Sequence, residues 1–211
     1  MRALRRYPAH RSVLWVALLC VSVIRAQTFL DSHLTFTSTA VGSGQFGSAD
    51  GEALSAQLDQ PYSIALSPDG NTLAIADHFN ELVRLVDITT LPYNMTTVVV
   101  STLAGGLGYA DGVGTDAKFT KPKGVHFSPD GARLAVCDSF NNKIRLIDVA
   151  TRAVMTLAGS SKGYEDGRAS ISRFNSPFGV AFHPTEGYLL ISDSGNHALR
   201  KVITATGETT T

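Results

Sequence analysis

Short apolar or alternating runs recur along the chain between turn residues, and they recur in register. One set is Ile64–Leu66, Leu73–Ala76, Leu82–Ile88 and Val98–Leu103. A second is Val125–Phe127, Leu134–Cys137, Lys143–Val149 and Val154–Leu157. A third is Val180–Phe182, Leu189–Ser192 and Ala198–Ile203. Runs this short, rich in β-branched residues and bounded by Gly, Pro, Asn and Asp, predict strands. No stretch carries a helical period.

The turn residues repeat with the strands. Ser67-Pro-Asp-Gly70 and Ser128-Pro-Asp-Gly131 separate the first two runs of their sets, and His183-Pro-Thr-Glu-Gly187 takes their place in the third. Proline presets one turn dihedral and glycine takes positive φ, so each predicts a tight hairpin. Pro61, Pro122 and Pro177 mark spacings of 61 and 55 residues, and the other repeated positions keep them. The six extra residues of the first repeat fall near Leu91–Thr96, as expected of a surface loop. Four antiparallel strands per repeat of this length predict β-propeller blades: an all-β chain with three blades, a partial propeller or half of a six-bladed one.

The expected organisation is a signal peptide over 1–26, a lone strand over 27–42 matching the fourth strand of a blade, and repeats over 43–103, 104–158 and 159–211. The third repeat is expected to lack its fourth strand. A ring typically needs 4–8 blades. Two expectations follow: the chain is part of a longer product, or two copies close head to tail, each lone strand completing its partner's last blade.

The resemblance becomes specific in Pro177–Val202, where Pro-x-Gly-Val-Ala-Phe precedes Leu-x-Ile-Ser-Asp-Ser-Gly-Asn-His-Ala-Leu-Arg-Lys-Val. With the Thr-Leu-Ala-Gly lead-ins at Thr102 and Thr156, this resembles the NHL-repeat propeller family over residues 35–205. The Asn-His-Leu signature departs by one inserted residue, Ala198. The resemblance implies blades that usually number six; propellers host scaffolds, receptors, lyases and lactonases alike, so it names no activity.

Charge and composition narrow the function. The chain has 18 basic and 18 acidic side chains, but five of the basic ones lie within residues 1–26, which hold no acid. The remainder carries 13 basic against 18 acidic groups, with no basic run, which excludes nucleic acid and anionic lipid as expected partners. Arg2–Arg11 followed by the twelve apolar residues Val13–Ile24 predict a secretory signal cut after Ala26. That run is short of the roughly 20 residues a spanning helix needs. A secreted, glycosylated product is expected, with no membrane insertion after cleavage; an uncleaved signal anchor is the alternative. Asn94-Met95-Thr96 is a glycosylation sequon. Cys137 occupies the slot of Ala76 and Ser192, so it is expected to be a small buried residue.

Two motifs recur in every repeat. Asp77/Asn80/Arg84, Asp138/Asn141/Arg145 and Asp193/Asn196/Arg200 are expected to be turn chemistry, because one ligand rarely needs the same residues in each blade. Asp50, Asp111 and Asp166 each precede a glycine in a long connection, with Phe46, Tyr109 and Tyr164 nearby. These six are the candidate binding residues, on rim loops that would meet a protein or glycan. The repeats also differ at matched positions: His126 replaces Ala65 and Ala181, and His78 replaces Ser139 and Ser194. The expected function is a non-catalytic interaction module without a cofactor. The alternative is a lactonase-like or peptide-amidating-lyase-like propeller enzyme, holding a divalent metal with His126, Asp138 and Asp193.

Overall fold

The computed structural model describes residues 39–89 and 98–211. The signal segment, residues 27–38 of the expected lone strand, and the insertion with Asn94 lie outside the described residues.

The first sheet contains β1 (Gly51–Glu52), β2 (Pro61–Leu66), β3 (Thr72–Asp77), β4 (Leu82–Asp87) and β5 (Val99–Gly105), in the order β1-β5-β4-β3-β2. The second contains β6 (Gly112–Val113), β7 (Pro122–Phe127), β8 (Arg133–Asp138), β9 (Lys143–Asp148) and β10 (Ala153–Ala158), in the order β6-β10-β9-β8-β7. The third contains β11 (Pro177–Phe182), β12 (Tyr188–Asp193), β13 (Ala198–Ile203) and β14 (Thr209–Thr210), in that order. Every named pairing is antiparallel. These are three blades of a propeller, with β2, β7 and β11 innermost and neighbouring in turn.

The period of two in each strand explains the stacking. In β8, Leu134 and Val136 pack into the core shared with Ala74, Ala76 and Val83 of the first blade. Their alternates Ala135 and Cys137 pack with Leu189, Ile191 and Val202 of the third. One strand therefore supplies both of its inter-blade cores. Cys137 is fully buried in the small slot expected of it.

The Ser-Pro-Asp-Gly turns close as anticipated. Ser67 Oγ donates to Asp69 at 2.5 Å and accepts from the Thr72 amide at 2.9 Å, while Gly70 has φ +76°. The Leu-Ala-Gly lead-in has a different reason. At Gly105, with φ +125°, a Cβ would lie 2.4 Å from Glu81 O, and at Gly159 one would lie 2.5 Å from Asn142 O. Only glycine lets the chain leave one blade this close to its turn.

One expectation is corrected. The third repeat has a fourth strand: β14 pairs Thr209 with Val202 and Thr210 with Lys201. No hydrophobic run announces it, because its residues are threonines held by the sheet edge and by the Gly167 backbone, which exchanges two hydrogen bonds with Thr209. The edge that a partner's strand was expected to take is thus occupied at Lys201–Val202 by the chain's own β14. Of the expected lone strand, residues 39–42 form none; the Gly42 amide instead bonds to Ala53 O at 2.8 Å. Leu199 is 69% exposed where its counterparts Val83 and Ile144 are fully buried.

Candidate functional site

The two motifs that recur in each repeat are one structure. Asp138 ends β8 and Asn141 ends the 3-10 turn Ser139–Asn141, while Arg145 lies on β9 and points back beneath that turn. Arg145 Nη1 donates to Asp138 at 2.8 Å and to Lys118 O at 3.0 Å. Its Nη2 donates to Asp111 at 2.6 Å and to Ala110 O at 2.7 Å. Asn141 Nδ2 bridges Asp138 and Gly108 O at 2.8 Å, and the Thr120 amide donates to Asp138 at 2.8 Å. The arginine is a strut between a buried aspartate in a turn and a half-exposed one in the long connection.

The first and third blades repeat this geometry. Arg84 joins Asp77 at 2.9 Å to Asp50 at 2.5 Å, and Arg200 joins Asp193 at 2.9 Å to Asp166 at 2.6 Å. Asn80 and Asn196 hold Gly47 O and Gly163 O at 2.6 and 2.7 Å. Thr102, Thr156 and Thr211 hydroxyls each donate to the outer carboxylate. All three arginines are fully buried.

The electrostatics follow from position. Burial pushes the carboxyls of Asp77 and Asp138 above the usual carboxylate range, against the pull of their amide, asparagine and arginine partners. At Asp111 and Asp166 burial also pushes upward, but threonine and arginine hydrogen bonds outweigh it and hold both groups low.

The candidate rim residues therefore have structural work. The carboxylates of Asp50, Asp111 and Asp166 are taken up by arginine and threonine. The rings of Tyr109 and Tyr164 lie over the Arg145 and Arg200 guanidinium groups, with centroids at 5.2 and 4.9 Å. Phe46 stands apart, 83% exposed in its loop. The candidate metal residues are not brought together. His126 pairs with Ala135, whereas Asp138 pairs with Pro122 at the other end of the hairpin. Four residues along a strand separate them by roughly 13 Å. Asp138 and Asp193 are each enclosed in their own arginine networks. His126 Nδ1 lies 2.8 Å from Phe127 O.

The structure assembles a different cluster. Tyr62, Lys123 and Phe178 hold equivalent positions, one residue after the proline that starts each innermost strand. Phe79 and Phe140 hold equivalent positions in the turns after β3 and β8. These side chains meet beside the starts of the innermost strands β2, β7 and β11, which in a closed propeller would be the channel mouth. The Tyr62 and Phe178 centroids are 6.0 Å apart, although the residues belong to the first and third blades. Lys123 Nζ lies 5.0 Å from the Phe178 centroid and 5.8 Å from those of Tyr62 and Phe140. Lys121 Nζ sits 3.6 Å over Phe79 and 3.2 Å from Glu81. The four rings are 41–58% exposed. The sequence carries a signal for part of this cluster: the matched positions Tyr62, Lys123 and Phe178 change while remaining large, whereas Phe79 and Phe140 keep one ring type that the third repeat replaces with Gly195.

The frame beneath the cluster is made of inter-blade latches. His78 Nδ1 meets Pro122 O at 3.1 Å, and Ser139 Oγ donates to Pro177 O. The Lys121 amide donates to the Glu81 carboxylate, and the Ser176 amide donates to Asn142 Oδ1 at 2.9 Å. Lys121 and Ser176 have φ of +55° and +51°, which aims their amides at the preceding blade. Burial lowers the His78 pKa from its ordinary value.

Repeated antiparallel blades of four or five strands with a shared strut define a β-propeller of the repeat-built class. No family model matches the chain. It is 32% identical over 160 residues to Protein SUPPRESSOR OF QUENCHING 1, chloroplastic, of Arabidopsis thaliana, covering 71% of this chain and 14% of that protein. It is 30% identical over 154 residues to NHL repeat-containing protein 2 of Homo sapiens, covering 67% of this chain and 20% of that protein. An auxiliary nutrient binding protein from Bacteroides ovatus superimposes with a TM-score of 0.62 at 23% identity, over 71% of this chain and 38% of that one. That likeness shows the fold. The chain belongs to the NHL-repeat family, and it spans a fifth or less of the curated relatives named above.

Proposed function

We propose that this chain is an extracellular, non-catalytic interaction module whose ligand seats on the channel mouth. The observation that carries the reading is the cluster of Tyr62, Lys123, Phe178, Phe79 and Phe140. The struts and latches repeat from blade to blade; on that frame Tyr62, Lys123 and Phe178 differ at matched positions, the four rings stay exposed, and the cluster draws on all three blades. Aromatic side chains grouped in this way are the usual anchors of protein interfaces. The extracellular part of the proposal rests on the basic and apolar run before Gln27 and on the Asn94 sequon.

Expression of the whole chain in a eukaryotic secretory host tests both parts. The expected product appears in the medium, starts at Gln27 and loses mass on glycosidase treatment unless Asn94 is changed to Gln. Incubated with extracellular proteins and glycans, it retains a ligand that a Phe140→Ser/Phe178→Ser variant of equal stability does not. Cytosolic retention would end the localisation. Turnover of lactones or amidated peptides would end the non-catalytic reading.

A further inference from the structure

We propose that the channel mouth receives an acidic protein segment with apolar neighbours, and that the Lys123 ammonium anchors its carboxylate. The inference rests on the interaction-module reading and adds the chemistry of the ligand. Lys123 is the centre of the cluster. Three rings from three blades approach its Nζ at 5.0–5.8 Å, and Lys123 itself belongs to the middle blade. Among the described residues it has no ion-pair or hydrogen-bond partner for that nitrogen. Lys121, two residues earlier, differs: its charge is taken up by Glu81 at 3.2 Å and by the Phe79 ring.

A ring face attracts a cation through its quadrupole, so the aromatic residues hold Lys123 upright without neutralising it. They also remove part of its water. A carboxylate arriving there meets a partly desolvated positive charge in a lower local dielectric, where a charge-assisted bond is stronger than on open surface. Lys121 lies in the same cluster with its charge paired to Glu81, so Lys123 is the ammonium there left for an incoming carboxylate.

The choice of a peptide over a sugar follows from the ring types. Of the four rings, three are phenyl and only Tyr62 carries a hydroxyl. A sugar presents many hydroxyls that need fixed donors and acceptors, whereas the cluster offers apolar faces and two ammonium groups. An aspartate or glutamate flanked by leucine, phenylalanine or similar side chains matches both: the carboxylate on Lys123, the apolar groups on Phe140, Phe178 and Tyr62.

The test is peptide display on the whole secreted chain, followed by fluorescence polarisation with the enriched peptides. The expected consensus has an acidic residue beside aromatic or aliphatic ones. Lys123→Met should weaken it about tenfold or more, as expected for loss of a charge-assisted bond. Lys123→Arg should retain most of the affinity, and raised salt should weaken the wild type more than the methionine variant. Unchanged melting temperatures show that neither variant acts through the fold. A basic or uncharged consensus, or equal binding by wild type and Lys123→Met, would overturn the acidic anchor. If that binding is still lost in Phe140→Ser/Phe178→Ser, the interaction-module reading survives alone. Binding of an oligoglucuronate with no peptide enriched would assign the surface to glycans and overturn the inference. No binding by peptide or glycan would remove both readings.

Discussion

Arg145 is the residue whose replacement tests the structural account most directly. Methionine keeps much of the stem and removes the guanidinium. Four hydrogen bonds are lost, to Asp138, Asp111, Lys118 O and Ala110 O. The main loss comes from Asp138, whose side chain is fully buried and would keep only the Thr120 amide and Asn141 as partners. Removing one member of a buried pair typically destabilises by about 3–5 kcal/mol. Stability of ordinary domains is about 5–15 kcal/mol, so the variant should lose at least roughly a fifth of it. Asp111, at the outer end of the strut, is 49% exposed, so solvent screens its pairing. Asp111→Asn should cost about 0–1 kcal/mol. Urea unfolding followed by circular dichroism measures both. Because Arg145 and Asp138 act as a pair, Arg145→Met/Asp138→Leu should lose clearly less than the two single losses added together. The reasoning is refuted if Arg145→Met costs less than about 1 kcal/mol. Equal losses for Asp138→Asn and Asp111→Asn would refute it too.

Three further outcomes are expected. Gly124→Ala should destabilise by about 1–3 kcal/mol, read by the same unfolding assay, because its Cβ would lie 2.4 Å from Phe178 O and push the second and third blades apart. The depressed His78 pKa means that the folded chain resists a proton the unfolded chain accepts, so stability is present above ~6.5 and falls as pH drops below it; thermal melts at stepped pH should lose this component in His78→Ser, the residue type its equivalents Ser139 and Ser194 carry. Cys137 is buried and its thiol pushed far up by burial, then by Asp138 and Asp193, so a thiol reagent should label it in urea and leave it untouched in the native protein; rapid native labelling would contradict its place between the blades.

The strand pattern, the hairpin turns and the number of blades were legible in the sequence because each depends on local chemistry. Period two selects strands, Pro-Asp-Gly closes hairpins, and spacings of 61 and 55 residues count the units. The small slot of Cys137 was legible for the same reason, since repeats report on one another. The recurring Asp, Asn and Arg were recognised as architecture, but their connection to Asp50, Asp111 and Asp166 was not. Arg145 and Asp111 are 34 residues apart and meet only when the long connection folds against its own sheet. Left-handed Lys121 and Ser176 gave no warning either, because their amides take that direction to reach a neighbouring blade. β14 is not legible in the sequence because its threonines, held in place by β13 and the Gly167 backbone, have no hydrophobic period of their own. The channel-mouth cluster is the clearest case. Tyr62 and Phe178 are 116 residues apart in sequence and 6.0 Å apart in space, which no local rule can announce. Sequence alone specified the blades; the rotation between blades decided which side chains converge, because that angle is set by the buried faces between the sheets.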